Sequence, residues 1–394
     1  MYERNLVTQL KSRMREKRRF MQIITGPRQS GKTTALIQAL DSLDFPRHYA
    51  SADAPAASSP EWLSNEWEQA RLLQKQTGTD TIFAVDEIQK IKQWPSIVKQ
   101  LWDEDTRKKT DLKVILTGSS SLLIQKGLSE SLMGRFEILF CPHWNYAECR
   151  EAFGYTLDEF LYFGGYPGAA ALKDDEERWA RYIGASIVEP AIARDILFME
   201  EVRKPALLRS LFNLGAAYSA QELSFTKIMG QLQDAGNTVT IAHYLDLLEK
   251  ENILCGLRKY SPSKLQIRQS SPRFMVFDTS LMTYAEGTTR ERLLGDPVKK
   301  GRLVESAVGA YLLARSKEEG FEVFWWRERD DEVDFVIQKQ QRISAIEVKS
   351  GRAKKSGGSI EFKKRYPQAL FLLVGSPQCG LEDFLLGNRA FFSS

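Results

Sequence analysis

Gly26-Pro27-Arg28-Gln29-Ser30-Gly31-Lys32-Thr33 has the pattern G-x-x-x-x-G-K-T, and its flanks give the pattern its meaning. Upstream, Met21–Ile24 is a short apolar run suited to a buried strand. Downstream, Thr34–Leu40 is rich in helix formers. A glycine-rich turn from strand to helix aims several backbone N–H groups at one point, and the positive end of the helix dipole adds to their field. An anion sits there readily. The expectation is that Gly26 through Thr34 cradle the phosphates of a nucleoside triphosphate. Lys32 would reach the β- and γ-phosphates, and the Thr33 hydroxyl would ligate Mg²⁺.

Hydrolysis needs a second half to such a site. Thr81–Val85 is β-branched and apolar and stops at Asp86-Glu87. Asp86 is placed to hold the metal shell and Glu87 to polarise the attacking water. A third apolar run, Leu112–Leu116, ends in Thr117-Gly118-Ser119-Ser120-Ser121, hydroxyls at the carboxyl end of a strand, where open α/β sheets bind ligands. Ser119 contacts the γ-phosphate or its water on one reading and merely caps a helix on the other. Arg135, in Ser129–Phe136, either crosses into a neighbour's site to stabilise transition-state charge or makes an ordinary ion pair.

A chain of 394 residues suggests two or three domains, and 43% hydrophobic with 27% charged residues is the balance of a soluble globular protein. The net charge of +4 permits a nucleic-acid partner without demanding one. Four scattered cysteines without a C-x-x-C pair, and three separated histidines, give no sign of a zinc site, a disulfide frame or histidine chemistry. No apolar run reaches the ~20 residues of a membrane span, and Met1–Phe20 lacks an apolar signal core. A cytoplasmic protein with no membrane association is expected. Tyr2–Lys17 reads as a short amphipathic helix, Ser51–Pro60 as a loop, and Pro60 to about Gln76 as a helix.

Taken together, GPRQSGKTT, FAVDEIQK, ILTGSSS and LMGRFE, continuing into GGYPGAA (Gly164–Ala170) and IARDIL (Ile192–Leu197), resemble the prokaryotic AAA-type ATPases that carry a C-terminal domain of unknown function. The resemblance covers essentially the whole chain. It implies an α/β P-loop domain with a parallel sheet over residues 1–150, and ATP as the nucleotide. It also implies an arginine-finger region at Arg135, and assembly into homo-oligomers by analogy. A helical, winged-helix-like domain is expected over 151–286 and an α/β, nuclease-like domain over 298–394. Asp158–Glu200 reads as largely helical, a lid-like stretch broken at Gly164–Pro167.

In the middle region, Ala206–Gly215, Ser224–Gly230 and Val239–Lys250 have helical periodicity. Ile253–Tyr260 and Arg273–Phe277 read as strands. Three helices before a hairpin is a winged-helix order, which can place its third helix in a major groove. That helix lacks an Arg/Asn/Gln array for reading bases. Lys259, Lys264, Arg268 and Arg273 on the wing are candidates for phosphate contacts, and a purely packing module accounts for the pattern equally well.

Gly287–Lys300 reads as a linker and Leu303–Ala314 as an amphipathic helix carrying Glu305. Phe321–Arg327 is a strand, and Val333–Gln338 and Ile343–Lys349 form an antiparallel hairpin. If Gln338 faces Ile343, then Asp334 faces Glu347 and Glu332 faces Lys349, all on one side of the sheet. Opposed carboxylates repel unless a cation bridges them. Asp334 and Glu347 would hold Mg²⁺, Lys349 would orient or stabilise a hydroxide, and Glu305 would complete a site for phosphodiester hydrolysis. Asp334, Glu347-Val348-Lys349 as E-x-K and Glu305 resemble the PD-(D/E)xK nuclease superfamily, with Glu332 where that family often has proline. A sheet edge with alternating charges is the alternative. Ser350–Lys364 reads as a basic loop, either holding a nucleic-acid backbone or simply solvated, and Ala369–Val374 as a last strand.

Two function classes follow: an ATP-driven, nucleic-acid-associated enzyme with a nuclease-like end, or a regulatory ATPase switch whose end domains bind DNA or a partner protein without cutting. A small-molecule kinase ranks below both, because it would need an acceptor-binding domain beside the phosphate loop and Asp86-Glu87 suits water activation better.

Overall fold

Strands of the N-terminal region alternate their side chains between two helical layers, and that alternation builds the first compact unit of the chain. The computed structural model describes residues 2–53, 59–118, 132–197, 202–232, 236–261, 271–351 and 357–392. The chain divides into two compact units, Met1–Pro142 and His143–Ser394. The stretches 151–286 and 298–394, read above as separate domains, both fall within the second unit.

In the first unit, α1 (Asn5–Arg15) leads into β1 (Met21–Thr25), α2 (Lys32–Asp41), β2 (Arg47–Ser51) and α3 (Pro60–Thr77). Then come β3 (Thr81–Asp86), α4 (Trp94–Lys108), β4 (Leu112–Thr117) and β5 (Phe136–Phe140). The strands form one sheet in the order β2-β3-β4-β1-β5, with every pairing parallel. Met21, Ile23, Phe83, Val85, Val114 and Leu116 pack with Trp67 of α3 and Val98 and Trp102 of α4. Their neighbours Ile24, Ile82, Ala84 and Ile115 pack on the other side with Leu6 and Leu10 of α1 and Leu36 and Leu40 of α2. A sheet covered on both faces needs strands that are apolar throughout, which is why β1, β3 and β4 read as continuous hydrophobic runs.

Charged side chains also lie in that interior, Asp105 and Lys113 among them. Asp105 of α4 is fully buried and accepts hydrogen bonds from Trp67 Nε1 at 2.8 Å and Arg71 Nε at 2.7 Å. Burial raises its pKa while Trp67 and Arg71 pull it down.

The second unit begins with α5 (Tyr146–Phe153) and α6 (Leu157–Phe163), each opened by a capping box, at Asn145/Glu148 and Thr156/Glu159. The GGYPGAA stretch has an internal explanation here. Gly165 N–H donates to Asp278 Oδ2 at 2.7 Å, and a Cβ on Gly164 would collide with the same carboxylate. Next come α7 (Glu176–Tyr182) and two wide-turned segments, Ile183–Val188 and Ala191–Ile196. The expected run of three helices then appears as α8 (Pro205–Ala217), α9 (Phe225–Gln231) and α10 (Thr238–Lys250). A two-stranded antiparallel sheet follows, β6 (Leu254–Leu257) with β7 (Arg273–Val276).

Gly287–Lys300 is not a linker. It holds α11's C-terminal cap at Gly287 (α11, Thr279–Glu286), then α12 (Arg290–Gly295) and the first turn of α13 (Pro297–Glu319). Asp296 caps α13 by accepting from Val298 N and Lys299 N, and Pro297 sits at the first helical position, where it needs no donor. Four strands close the unit: β8 (Glu322–Glu328), β9 (Asp331–Lys339), β10 (Arg342–Val348) and β11 (Leu370–Val374), in the order β11-β10-β9-β8. Between β10 and β11, residues assigned above to a loop form α14 (Gly357–Arg365), and α15 (Leu381–Leu385) comes last. The mixture of parallel and antiparallel sheets with helices bears out the α/β reading.

Replacing Asp105 by Ala leaves the Trp67 indole N–H without its acceptor and strips Arg71 of its most buried partner. The expected cost is about 2–4 kcal/mol, measured as a shift in the urea midpoint of the full chain. A loss below about 1 kcal/mol would show that the network is solvated in solution.

Candidate active site

The turn between β1 and α2 is shaped by three residues with positive φ: Gly26 at 151°, Gln29 at 59° and Gly31 at 90°. A Cβ at Gly26 would run into the carbonyl oxygen of Cys141, just after β5, so only glycine lets the loop lie this close to the sheet. Lys32 is buried, and its ammonium donates to Gly26 O at 3.0 Å and Pro27 O at 2.6 Å, folding back over its own loop. Burial lowers its pKa, while the Cys141 thiol, Glu87 and Asp86 raise it and Arg28 adds to the lowering. The Ser30 hydroxyl donates to Pro27 O at 3.0 Å. From outside the motif, the buried Arg4 donates to Ser30 O at 2.9 Å and Pro142 O at 3.1 Å, so the residue before α1 braces the loop.

The sequence places Thr33 and Asp86 far apart, and the fold joins them. The Thr33 hydroxyl donates to Asp86 Oδ2 at 2.8 Å, and Tyr49 of β2 reaches the same oxygen at 3.3 Å. The other oxygen, Oδ1, accepts a short hydrogen bond from the Thr117 hydroxyl and a 3.1 Å bond from Glu87 N. Because β4 lies between β1 and β3, its last residue bridges the two halves of the site. Glu87 itself has φ 55°, and its Oε2 accepts from the Gln89 amide at 2.6 Å, which fixes the direction of the carboxylate.

Arg135 lies in the same unit and is clamped by Asp103 of α4, at 2.7 Å from Nε to Oδ1 and 3.0 Å from Nη2 to Oδ2. Asp103 is accordingly held below its usual range by Arg135. Ser119 lies outside the described residues. The hydroxyl that touches Asp86 is that of Thr117, the first residue of the same polar run. Its signal was its position as the last residue of a buried strand, next to the strand that ends in Asp86.

Residues 18–149 match the family described as AAA domain. This stretch has the AAA-type P-loop fold. Two further matches follow, to a domain of unknown function (DUF8612) over 154–292 and another (DUF4143) over 300–379. An uncharacterized protein of Haemophilus influenzae is 23% identical over 84% of this chain and 82% of its own length. One of Methanocaldococcus jannaschii is 25% identical over 80% of this chain and 72% of its own. A solved Walker-type ATPase of Pyrococcus abyssi is 15% identical, covers 73% of this chain and 96% of its own, and superposes with a TM-score of 0.49.

An AAA domain implies nucleotide binding, usually with Mg²⁺, and the donors here fit that ion. A hydroxyl and a carboxylate oxygen 2.8 Å apart are hard ligands, and Mg²⁺ commonly takes one or two carboxylates together with waters and substrate phosphates.

The acidic cluster of the second unit is a different case. The expected register is present, with Gln338 opposite Ile343 through to Phe335 opposite Ile346. Beyond that point the Asp334 side chain takes over, accepting from Val348 N at 2.7 Å through Oδ2. Lys349 pairs with Glu347 at 2.7 Å rather than with Glu332. Glu332 instead lies opposite Arg327 of β8 and accepts from Arg273 at 2.6 Å.

Arg273 is the unexpected member. Assigned above to a phosphate-facing wing, its side chain is only 5% exposed, and its guanidinium contacts Glu305 closely, Glu332 at 2.6 Å and Asp334 at 3.7 Å. Burial raises the carboxyl of Glu305 to about 8 and also raises Asp334, and Arg273 opposes both shifts. Among the described residues, no three acidic, histidine or cysteine side chains are spaced to hold a metal ion. The residues expected to bind a metal are present, but a guanidinium lies among them. Of the other basic residues singled out on the wing, Lys264 and Arg268 lie outside the described residues, and Lys259 forms a bridge to Trp325 of β8.

The packing at Gly26 yields a direct expectation. Gly26→Ala forces the loop off the Cys141 carbonyl and should weaken ATP binding about tenfold or more, read by titration with a fluorescent ATP analogue. Unchanged affinity would mean that the loop's present position is not the binding one.

Proposed function

We propose that the chain hydrolyses ATP to ADP and phosphate at the joint between the phosphate loop and Asp86-Glu87. The observation that carries this reading is the Thr33–Asp86 hydrogen bond, which brings the two halves of the motif set into one site. In this mechanism Lys32 leaves the carbonyls of Gly26 and Pro27 for the β- and γ-phosphates. Backbone N–H groups from Gly26 to Thr34 hold the phosphate oxygens. Glu87, aimed by Gln89, orients a water for attack on the γ-phosphorus and accepts its proton as the bond to the ADP oxygen breaks. Mg²⁺, held by Thr33 and Asp86, would neutralise charge on the phosphates.

We assign the second unit a binding rather than a cleaving role, so that ATP turnover controls contact with DNA or a partner protein. The Arg273 guanidinium among Glu305, Glu332 and Asp334 favours this reading over the nuclease, since it already neutralises two carboxylates of the expected site, Glu305 and Asp334. Homo-oligomeric assembly with Arg135 acting in trans belongs to the same proposal. It requires Arg135 to exchange Asp103 for a neighbour's γ-phosphate, and a pair exposed at 30% and 33% holds by only about 1 kcal/mol or less.

Glu87→Gln should keep ATP affinity and lose hydrolysis by about a hundredfold or more, measured by phosphate release, while Lys32→Ala should lose both. Hydrolysis at the wild-type rate in Glu87→Gln would remove the catalytic assignment. With Mg²⁺ or Mn²⁺, plasmid, single-stranded DNA and RNA should remain intact. Cleavage that Asp334→Ala abolishes would restore the nuclease reading.

A further inference from the structure

In the second unit Glu305 of α13 and Glu332 and Asp334 of β9 gather around one cation, and the fold supplies it from its own chain. Arg273 spends all three of its nitrogens locally. Nε donates to Ala220 O at 3.2 Å, Nη1 to Glu332 at 2.6 Å, and Nη2 contacts Glu305 while lying 3.7 Å from Asp334. The backbone of Arg273 is equally fixed. It pairs with Leu257 in the β6–β7 sheet and bridges to Glu222, and the adjacent Phe274 donates to Gln221 O at 3.0 Å. Two residues on, Met275 packs into the space left by Gly309 of α13, where a Cβ would collide with its sulfur and press on Phe335 of β9. The arginine is thus set in place by a strand ladder, a helix and the sheet that carries the carboxylates.

We infer that Arg273 is the resident cation of this cluster, and that its guanidinium keeps a divalent ion from binding between Glu305 and Asp334. A metal shared by both carboxylates would hold them as ligands, at about 2.0–2.1 Å for Mg²⁺. The guanidinium cannot remain between them at the same time. This deepens the non-cleaving reading above, and it is tested by bound metal rather than by ATP turnover or cleavage, so the two can fail separately. One consequence is that the acid–lysine pattern alone overstates the metal chemistry of this unit: Asp334, Glu347 and Lys349 can all be present while the cation site is filled from within.

The test is a Mn²⁺ titration of the nucleotide-free full chain, with free Mn²⁺ read by electron paramagnetic resonance. Wild type and Asp334→Asn should bind the same number of ions. Arg273→Ala should gain one ion per chain, bound about tenfold or more tighter than any site in wild type, and Arg273→Ala/Asp334→Asn should lose that ion again. A Mn²⁺ that wild type binds and Asp334→Asn loses would overturn the inference, as would a folded Arg273→Ala that gains none. The wild-type and Asp334→Asn pair needs no Arg273 variant, so the inference remains open to contradiction even if Arg273→Ala does not fold.

Discussion

The carboxylate of Asp86 is the point on which the first unit turns. It stands at the end of a fully buried strand and is itself buried, so its charge must be met by donors within reach. The fold supplies them from both directions: Thr33 and Tyr49 at one oxygen, Thr117 and Glu87 N at the other. Those partners come from the helix after β1, from β2, from β4 and from the chain just beyond Asp86. Satisfying one buried charge therefore ties β2, β3 and β4 to the helix after β1, and so brings the phosphate loop beside the Asp86-Glu87 strand end. Gly26 and Arg4 serve the same end by holding the loop against Cys141 and Pro142.

The same rule, that a buried charge must be met, governs two other places with different results. Asp105 is met by an indole N–H and a guanidinium and serves only to tie α3 to α4. In the second unit, Glu305, Glu332 and Asp334 are met by Arg273, a residue that lies at the start of β7 and belongs to the middle of the sequence. Breaking a buried pair of this kind is costly because the surviving charge stays behind, and the arrangement therefore persists unless a different cation replaces the arginine. Carboxylate chemistry alone does not say whether that cation is a metal or a side chain. The cation in contact with them here is Arg273.

Much of this was legible along the chain. The parallel core strands show as continuous apolar runs because both faces of the sheet are covered, and the hairpin register follows from its short turn at Lys339–Arg342 together with strict alternation. The three helices before β6 and β7 are visible in their periodicity. What escaped reading depends on contacts between distant segments. Nothing local to Arg273 distinguishes a surface arginine on a wing from one buried among carboxylates 32 and 59 residues away. Thr117 looked like one hydroxyl among several until strand order put it beside Asp86. The helix at Gly357–Arg365 begins with two glycines, poor helix formers, and Gly358 is there because a side chain would strike the Glu332 backbone. Asp296-Pro297, by contrast, carried a helix-start signal that a linker assignment overlooked.

If the phosphate loop and the acidic strand end share one Mg²⁺·ATP site, Mg²⁺ must tighten ATP binding through Asp86. Calorimetric titration with ATP, with and without Mg²⁺, tests it in wild type and Asp86→Asn. Wild type should bind ATP more tightly when Mg²⁺ is present, and Asp86→Asn should lose most of that difference while still binding the nucleotide. If Asp86→Asn keeps the full effect of Mg²⁺, the two halves do not share the ion.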